Sequence, residues 1–294
     1  MSQLPTAIHP DGWARPSGFS NGMVAEGKLL FVAGQVGWDP ASPNPDAQLR
    51  EARFVYAVPN FSNPTGVLVP QDQRVALLER VVRSGSWLVE DDPYLVLQLD
   101  DPVGPGLLEL DVAARPDRPY DGPVVYCGTL SKSIAPGLRI GWMVGEPELI
   151  RMLALAKQCS DLSSSMYTHA VALELLEANI EAGHVPAILA CYRERRDAMH
   201  EILTAELGEW FTGDRPSGGM FFWLEARGGA IDTDALYQRA LREGVAFVPS
   251  SVFDPHGELR TAMRLNFTRN EPEVMAEGVR RLARAVRGYL TEGT

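Results

Sequence analysis

The segment from residue 54 to residue 94 reads as a strand, a helix and a second strand, and this order leaves few folds open. Residues 54–60 (FVYAVPN) and 86–94 (SWLVEDDPY) are apolar runs of strand length that end in polar residues. Residues 70–85 (PQDQRVALLERVVRSG) place apolar side chains at helical spacing and end in glycine. Because parallel strands need a crossover connection, usually a helix, the segment predicts a parallel α/β sheet.

Two more strands extend the predicted sheet, and a second domain follows. Residues 124–132 (VVYCGTLSK) form a third apolar run. Residues 138–145 (LRIGWMVG) follow after a loop too short for a crossover helix, which predicts an antiparallel fourth strand. The chain becomes helical after residue 146, and from about residue 186 helices alternate with strands at 218–226, 245–251 and 262–268. This alternation indicates a separate α+β domain.

The composition excludes several kinds of partner. A net charge of −11 without a basic run argues against nucleic acid and anionic membranes. Three scattered cysteines, Cys127, Cys159 and Cys191, lack the spacing of a zinc site or a disulfide framework. The first residues lack the pattern of an export signal, and no apolar run is long enough to span a membrane. We therefore predict a cytoplasmic protein that binds no metal and whose partner is a small molecule.

Polar and charged side chains follow the predicted parallel strands where the strands end, which is where ligands bind in such sheets. They are Asn63, Asp91, Tyr94, Thr129, Ser131, Lys132 and, seven residues further on, Arg139. Only three of the 27 basic Lys and Arg residues are lysines, and a lysine amine can lose its proton and attack a carbonyl, which arginine cannot. Pyridoxal 5'-phosphate has a group to match each of these side chains. Its aldehyde suits the amine and its ring nitrogen suits the carboxylate. Its ring oxygen suits the amide and the phenol, and its phosphate suits the hydroxyls and the guanidinium.

The motifs around these residues resemble those of fold-type I, class I/II aminotransferases over about residues 52–290. They are the turn NPTG at 63–66, EDDPY at 90–94, GTLSKSIAPGLRIGW at 128–142 and MRLNFT at 263–268. The similarity is greatest to the branch with 2-aminoadipate and aromatic amino-acid aminotransferases and the effector domains of MocR-type regulators. It implies an α/β fold in which a truncated large domain with a mostly parallel sheet precedes a small C-terminal α+β domain.

The resemblance also implies a role for each site residue. Lys132 is the catalytic lysine that binds the cofactor aldehyde as the internal aldimine. Asp91, rather than its neighbour Asp92, holds the pyridine nitrogen protonated, and Arg264 in MRLNFT binds the substrate α-carboxylate. The remaining implied contacts are hydrogen bonds to the ring hydroxyl from Asn63 and Tyr94, and to the phosphate from Thr129, Ser131 and Arg139.

The beginning of the chain resembles a different family. Residues 12–40 are similar to the opening β-hairpin of the Rid (YjgF-like) enamine/imine deaminases, and the glycine-containing phosphate loop and stacking aromatic of aminotransferases are not found there. We predict a Rid-like hairpin fragment at 1–50, a partial cofactor-binding large domain at 51–185 and a small domain at 186–294. The strand KLLFVAGQV at 28–36 is expected to cover one edge of the sheet, since an uncovered edge invites association.

The predicted function is pyridoxal-phosphate-dependent transfer of an amino group between an amino acid and a 2-oxo acid, by a homodimer. The alternative is a non-catalytic fusion remnant of an aminotransferase with weak or no turnover. A Rid-like imine hydrolase is disfavoured because only the opening hairpin of that family is matched. A MocR-type regulator is disfavoured because residues 1–50 hold no helix-turn-helix pattern.

Overall fold

The computed structural model describes residues 6–8, 22–24, 28–32, 52–116, 119–254 and 256–292. The chain divides into two compact units. The N-terminal unit comprises Met1–Pro59, Val69–Pro93 and Val103–Gly183, and the C-terminal unit comprises Asn60–Leu68, Tyr94–Pro102 and His184–Thr294.

The N-terminal unit contains a five-stranded sheet next to a small two-stranded one. Strands β1 (Thr6–Ile8) and β2 (Gly22–Val24) pair antiparallel. The larger sheet has the order β3-β4-β5-β6-β7, with β3 at Lys28–Val32, β4 at Ala52–Ala57, β5 at Trp87–Asp91, β6 at Val124–Thr129 and β7 at Gly141–Val144. Strands β3 to β6 are parallel, and β7 is antiparallel to β6. The predicted parallel sheet with an antiparallel last strand is therefore confirmed.

Helices α1 (Gln71–Ser84) and α2 (Leu107–Ala113) pack on one face of this sheet. Two more helices of this unit, α3 (Pro147–Ser160) and α4 (Met166–Glu177), follow β7 in the chain. Leu77, Leu78 and Val81 of α1 belong to one buried core with Val55 and Leu88 of the sheet. Helix α1 ends at Gly85 as predicted, since this glycine has φ 71° and its N–H donates to the Val81 carbonyl at 3.1 Å.

Alternation along the strands gives the sheet two unlike faces. Val55, Leu88 and Val124 are buried on the face under α1. Tyr56 and Asp91 belong to the other face and are half-buried. The second face is thus the more open of the two along β4 and β5.

The C-terminal unit is an antiparallel sheet packed against helices. Its helices are α5 (Ile180–Leu207, in this unit from His184 on), α6 (Thr233–Arg242) and α7 (Pro272–Glu292). The sheet has the order β10-β11-β9-β8, with β8 at Phe211–Thr212, β9 at Phe221–Ala226, β10 at Val248–Pro249 and β11 at Ala262–Asn266. Met263 and Leu265 of β11 are buried in the core, whereas Arg264 between them points to the other face, as the alternation predicts.

Two expectations differ from the observed structure of this unit. The strand predicted at 245–251 is reduced to Val248–Pro249, and the 3-10 turn Ser250–Phe253 follows it. The charged stretch YRERRD at 192–197 predicts a solvated helix face, but Arg196 within it is only 1% exposed. Its Nη1 donates to Asp100 Oδ1 at 2.9 Å and to the Pro216 carbonyl at 3.1 Å. The prediction of a solvated face is wrong for Arg196 because these partners come from distant parts of the chain.

The units do not coincide with the predicted domains 51–185 and 186–294. Residues 60–68 and 94–102 group with the C-terminal unit, partly because Leu99 N donates to the Ser217 carbonyl at 3.0 Å and Gly219 N donates to the Leu97 carbonyl at 2.9 Å. Local strand and helix patterns cannot reveal such pairings between segments that are far apart in sequence.

The predicted Rid-like region, residues 12–40, lies mostly outside the described residues. Of its described strands, β2 pairs with β1, and β3 pairs in parallel with β4 at the edge of the larger sheet. The expectation that residues 28–36 cover a sheet edge is thus confirmed for Lys28–Val32. Within the described part of the chain, no helix is both long and apolar enough to cross a bilayer.

Candidate functional site

The carboxyl ends of β5 and β6 bring two predicted site residues to the same edge of the sheet. Asp91 is the last residue of β5, and Thr129 is the last residue of β6. The strands are parallel and pair Asp91 with Cys127, so Thr129 lies two residues beyond the partner of Asp91 on the same face. The loop that leaves this edge carries Ser131 and Lys132. A carboxylate and a hydroxyl therefore stand at the carboxyl ends of two neighbouring strands, and a second hydroxyl and an amine follow in the loop after β6.

Asp91 and Asp92 differ in their surroundings. Asp91 is half-buried, and its Oδ2 accepts a hydrogen bond from the hydroxyl of Tyr56 on β4. Asp92 is only 5% exposed, and its N–H donates to the Cys127 carbonyl at 2.9 Å. Burial, followed by the negative charges of Asp91 and Glu90, raises the pKa of the Cys127 thiol to about 11. Asp91 is thus the more accessible of the two carboxylates.

Hydrogen bonds at its base hold the loop after β6. The Thr129 hydroxyl donates to the Ile140 carbonyl at 2.7 Å and accepts from Ser131 N at 3.1 Å. The two hydroxyl oxygens of Thr129 and Ser131 lie 3.0 Å apart. Ile134 N donates to the Leu130 carbonyl at 3.0 Å, so the segment around Lys132 forms a turn rather than an extension of β6.

Arg139 closes this loop in an unusual conformation. Its φ of 55° is in the left-handed region, which is uncommon for a residue other than glycine. Its side chain is exposed, and Nη1 donates to the Pro136 carbonyl at 3.2 Å. Strained conformations of this kind persist where the surroundings impose them, which is frequent at ligand sites.

Glu90 is a buried acid that the sequence analysis did not single out. It is 0% exposed, and its two carboxylate oxygens each accept at 2.8 Å from Leu107 N and Leu108 N, in the first turn of α2. Burial raises the pKa of Glu90, while these two hydrogen bonds and the charge of Arg74 act in the opposite direction. Glu90 alternates with Asp91 along β5, so it fastens α2 to the opposite face of the sheet.

The C-terminal unit collects the other three predicted residues. Arg264 Nη1 donates to Asn63 Oδ1, and the guanidinium carbon lies 4.3 Å from the centroid of the Phe221 ring. Tyr94 packs edge-on against the same ring at 6.2 Å between centroids. Burial lowers the pKa of Arg264, while the nearby Tyr94 acts in the opposite direction. Tyr94 and Arg264 therefore contact the same aromatic ring, and Asn63 is joined to this group through Arg264.

Sequence reasoning also missed Tyr56 and the rings beside Arg264. The Arg264 guanidinium carbon lies 5.0 Å from the centroid of the Phe253 ring, which packs edge-on against Trp223 at 6.0 Å. Tyr56 stands in an apolar strand, and only its polar hydroxyl could have marked it as a candidate site residue. The contact with Asp91 depends on strand register, which that signal does not contain.

Comparisons with known proteins agree with this architecture. The family model described as "Aminotransferase class I and II" matches residues 45–282. A 2-aminoadipate transaminase of Thermus thermophilus is 38% identical over 262 residues, which cover 89% of this chain and 64% of the relative. An aromatic-amino-acid aminotransferase of Thermococcus litoralis is 36% identical over 241 residues, which cover 81% of this chain and 55% of the relative.

A solved structure shows the same fold. The alpha-aminoadipate aminotransferase LysN of Thermus thermophilus, complexed with N-(5'-phosphopyridoxyl)-L-leucine, superposes with a TM-score of 0.78 at 34% identity. The match covers 90% of this chain and 71% of that one. Although the chain spans only 55% to 64% of the length of the two curated relatives named above, the family match extends over most of its own residues. The chain therefore belongs to the class I and II aminotransferase family.

Proposed function

We propose that the chain transfers an amino group between an amino acid and a 2-oxo acid with pyridoxal 5'-phosphate as cofactor. The observation that carries the proposal is that Asp91, Thr129, Ser131 and Lys132 stand at or just after the carboxyl ends of two paired parallel strands. Relatives that are aminotransferases support it, as does the phosphopyridoxyl compound in the LysN structure.

The residues in the N-terminal unit fit this cofactor by their chemistry. The Lys132 amine suits the aldehyde, and the Asp91 carboxylate suits a protonated ring nitrogen. The hydroxyls of Thr129 and Ser131 lie 3.0 Å apart, and with the exposed guanidinium of Arg139 they suit a phosphate. When bound, the cofactor supplies an electron-withdrawing ring that stabilises a carbanion at the substrate α-carbon.

The mechanism assigns separate tasks to these side chains. Asp91 holds a proton on the ring nitrogen, which keeps the ring electron-withdrawing. The Lys132 amine would take the substrate α-proton as a general base and return a proton as a general acid. Both tasks need fixed geometry. Hydrogen bonds of Thr129 hold the base of the loop that carries Lys132, and Asp91 ends a strand that is paired on both sides.

Asn63, Tyr94 and Arg264 are proposed to bind the remaining groups. The planar guanidinium of Arg264 matches the substrate α-carboxylate with two parallel hydrogen bonds. The contact with Asn63 uses one of five guanidinium donors. Asn63 and Tyr94 are proposed to bind the ring hydroxyl of the cofactor, as their motifs in this family imply. We propose no substrate more specific than an amino acid and a 2-oxo acid.

We also propose a cytoplasmic homodimer. The free thiols of Cys127, Cys159 and Cys191 suit a reducing compartment. Ten of the sixteen exposed large apolar side chains among the described residues lie between residues 142 and 180, and such a concentration marks an interaction surface. Light scattering should give twice the mass of one chain, and Met166→Glu should halve it. A matched control, Val274→Glu at another exposed site, should leave the mass unchanged, and a monomeric wild type would contradict the proposal.

The central test is covalent trapping on Lys132. After incubation with pyridoxal 5'-phosphate and reduction with borohydride, peptide mass mapping should find the pyridoxyl label on Lys132, because its amine condenses with the aldehyde. Lys132→Ala should lose nearly all of the label. The same preparation would be assayed for amino-group transfer from several amino acids.

Lys157 provides the matched control because it is an exposed lysine paired with Asp161. Lys157→Ala should keep the label on Lys132. Labelling of Lys157 instead, or equal labelling of wild type and Lys132→Ala, would refute the proposed cofactor site. A label on Lys132 without any amino-group transfer would favour the non-catalytic remnant.

A further inference from the structure

Tyr56 and Asp91 lie on neighbouring parallel strands and share one face of the sheet. Tyr56 of β4 is paired with Val89 of β5, so Asp91 stands two residues beyond the partner of Tyr56. Side chains two residues apart on a strand point to the same side. A long side chain reaches its diagonal neighbour in such a pair, and the Tyr56 hydroxyl donates to Asp91 Oδ2.

The surroundings hold Tyr56 firmly enough for this contact to orient Asp91. Its strand neighbours Val55 and Ala57 are buried at 0% and 4% exposure in the core on the opposite face. These neighbours fix the backbone of β4, and a tyrosine ring has only two rotatable bonds between backbone and hydroxyl. The position of the hydroxyl is thus determined by the sheet rather than by a mobile loop.

A carboxylate on a single-carbon stem can rotate about its χ2 bond, and a donor at one oxygen restricts that rotation. Tyr56 donates to Oδ2, which leaves Oδ1 as the oxygen that can accept from a bound group. We propose that Tyr56 is a positioning residue that turns Asp91 so that Oδ1 receives the protonated ring nitrogen of the cofactor. This inference rests on the proposed function, in which Asp91 binds that nitrogen.

The test compares cofactor affinity in four proteins: wild type, Tyr56→Phe, Asp91→Asn and the double variant. Cofactor binding is measured by fluorescence titration, and the pyridoxyl label on Lys132 is mapped after borohydride reduction. Tyr56→Phe keeps the ring and removes only the hydroxyl, so it should raise the cofactor dissociation constant about tenfold, the scale of one hydrogen bond to a charged group. In the Asp91→Asn background the same substitution should change it less than about twofold, because the oriented charge is already gone.

Tyr126→Phe is the matched control. Tyr126 is a half-buried tyrosine on β6, and it pairs with Glu90, so it belongs to the opposite face. This variant should bind the cofactor like wild type. Thermal melting of each variant separates a loss of affinity from a loss of folding.

Each remaining outcome decides one question. Equal affinity of Tyr56→Phe and wild type, or an equal tenfold loss in the Asp91→Asn background, would overturn the positioning role while leaving the proposed function intact. A loss of affinity that parallels a lower melting temperature in Tyr56→Phe would also overturn it. A wild type without label on Lys132 would overturn the proposed function and this inference together.

Discussion

Asp91→Asn should lower the rate of amino-group transfer by about a hundredfold or more, the scale seen when one electrostatic contact to the reacting centre is removed. Asparagine keeps the size and a hydrogen-bonding oxygen, but it has no charge to hold a proton on the ring nitrogen. The pyridoxyl label on Lys132 should survive, because that bond does not depend on Asp91. Steady-state kinetics and label mapping on the same preparation provide the measurement.

Two variants test whether the effect is specific to Asp91. Asp92→Asn replaces a neighbour that is only 5% exposed, and it should affect the melting temperature more than turnover. Arg264→Lys should raise KM for the amino acid while the cofactor is retained, because lysine keeps the charge but loses the forked geometry. If Asp92→Asn lost turnover and Asp91→Asn did not, the two assignments would be reversed.

Glu90→Ala should lower the free energy of unfolding by about 3 kcal/mol, the scale for removing one member of a buried charged group. The substitution leaves Leu107 N and Leu108 N in the first turn of α2 without their acceptors. It also removes a negative charge that offsets the buried Arg74, which is 1% exposed. Urea denaturation followed by circular dichroism measures the change.

Glu109 is the control for this prediction, because it is an exposed acid at the same helix start. Its Oε2 accepts from Gly106 N at 3.1 Å, and Glu109→Ala should cost about 1 kcal/mol or less. Glu90→Gln should fall between the two, since it keeps one acceptor but no charge. Equal stability of Glu90→Ala and wild type would show that α2 does not depend on this buried carboxylate.

Sequence patterns predicted the elements of the N-terminal unit more completely than its contacts. The runs at 54–60, 86–94 and 124–132 became β4, β5 and β6, and 138–145 became the antiparallel β7 after a 3-10 turn at Pro136–Leu138. These features depend on alternation and turn residues within a few positions of one another, so a single sequence is enough to predict them. The order of polar residues at the strand ends can be predicted for the same reason.

Contacts between distant segments were not predictable in this way. The Tyr56 hydroxyl meets Asp91, which is 35 residues away, because of the register of β4 against β5. The buried Arg196 donates to Asp100, which is 96 residues away, although the charges around it predict a solvated helix face. In each case the partner is chosen by how separate elements pack, and no local pattern contains that information.

The sequence by itself determined which segments become strands and helices, which side chains stand at the carboxyl ends of β5 and β6, and the family to which the chain belongs. Only the tertiary structure decided that Tyr56 is the donor to Asp91, that Glu90 fastens α2, and that residues 60–68 and 94–102 group with the C-terminal unit. The physical reason is range. Periodicity acts over one or two turns of chain, whereas register, burial and charge pairing are settled only when segments far apart in sequence pack together.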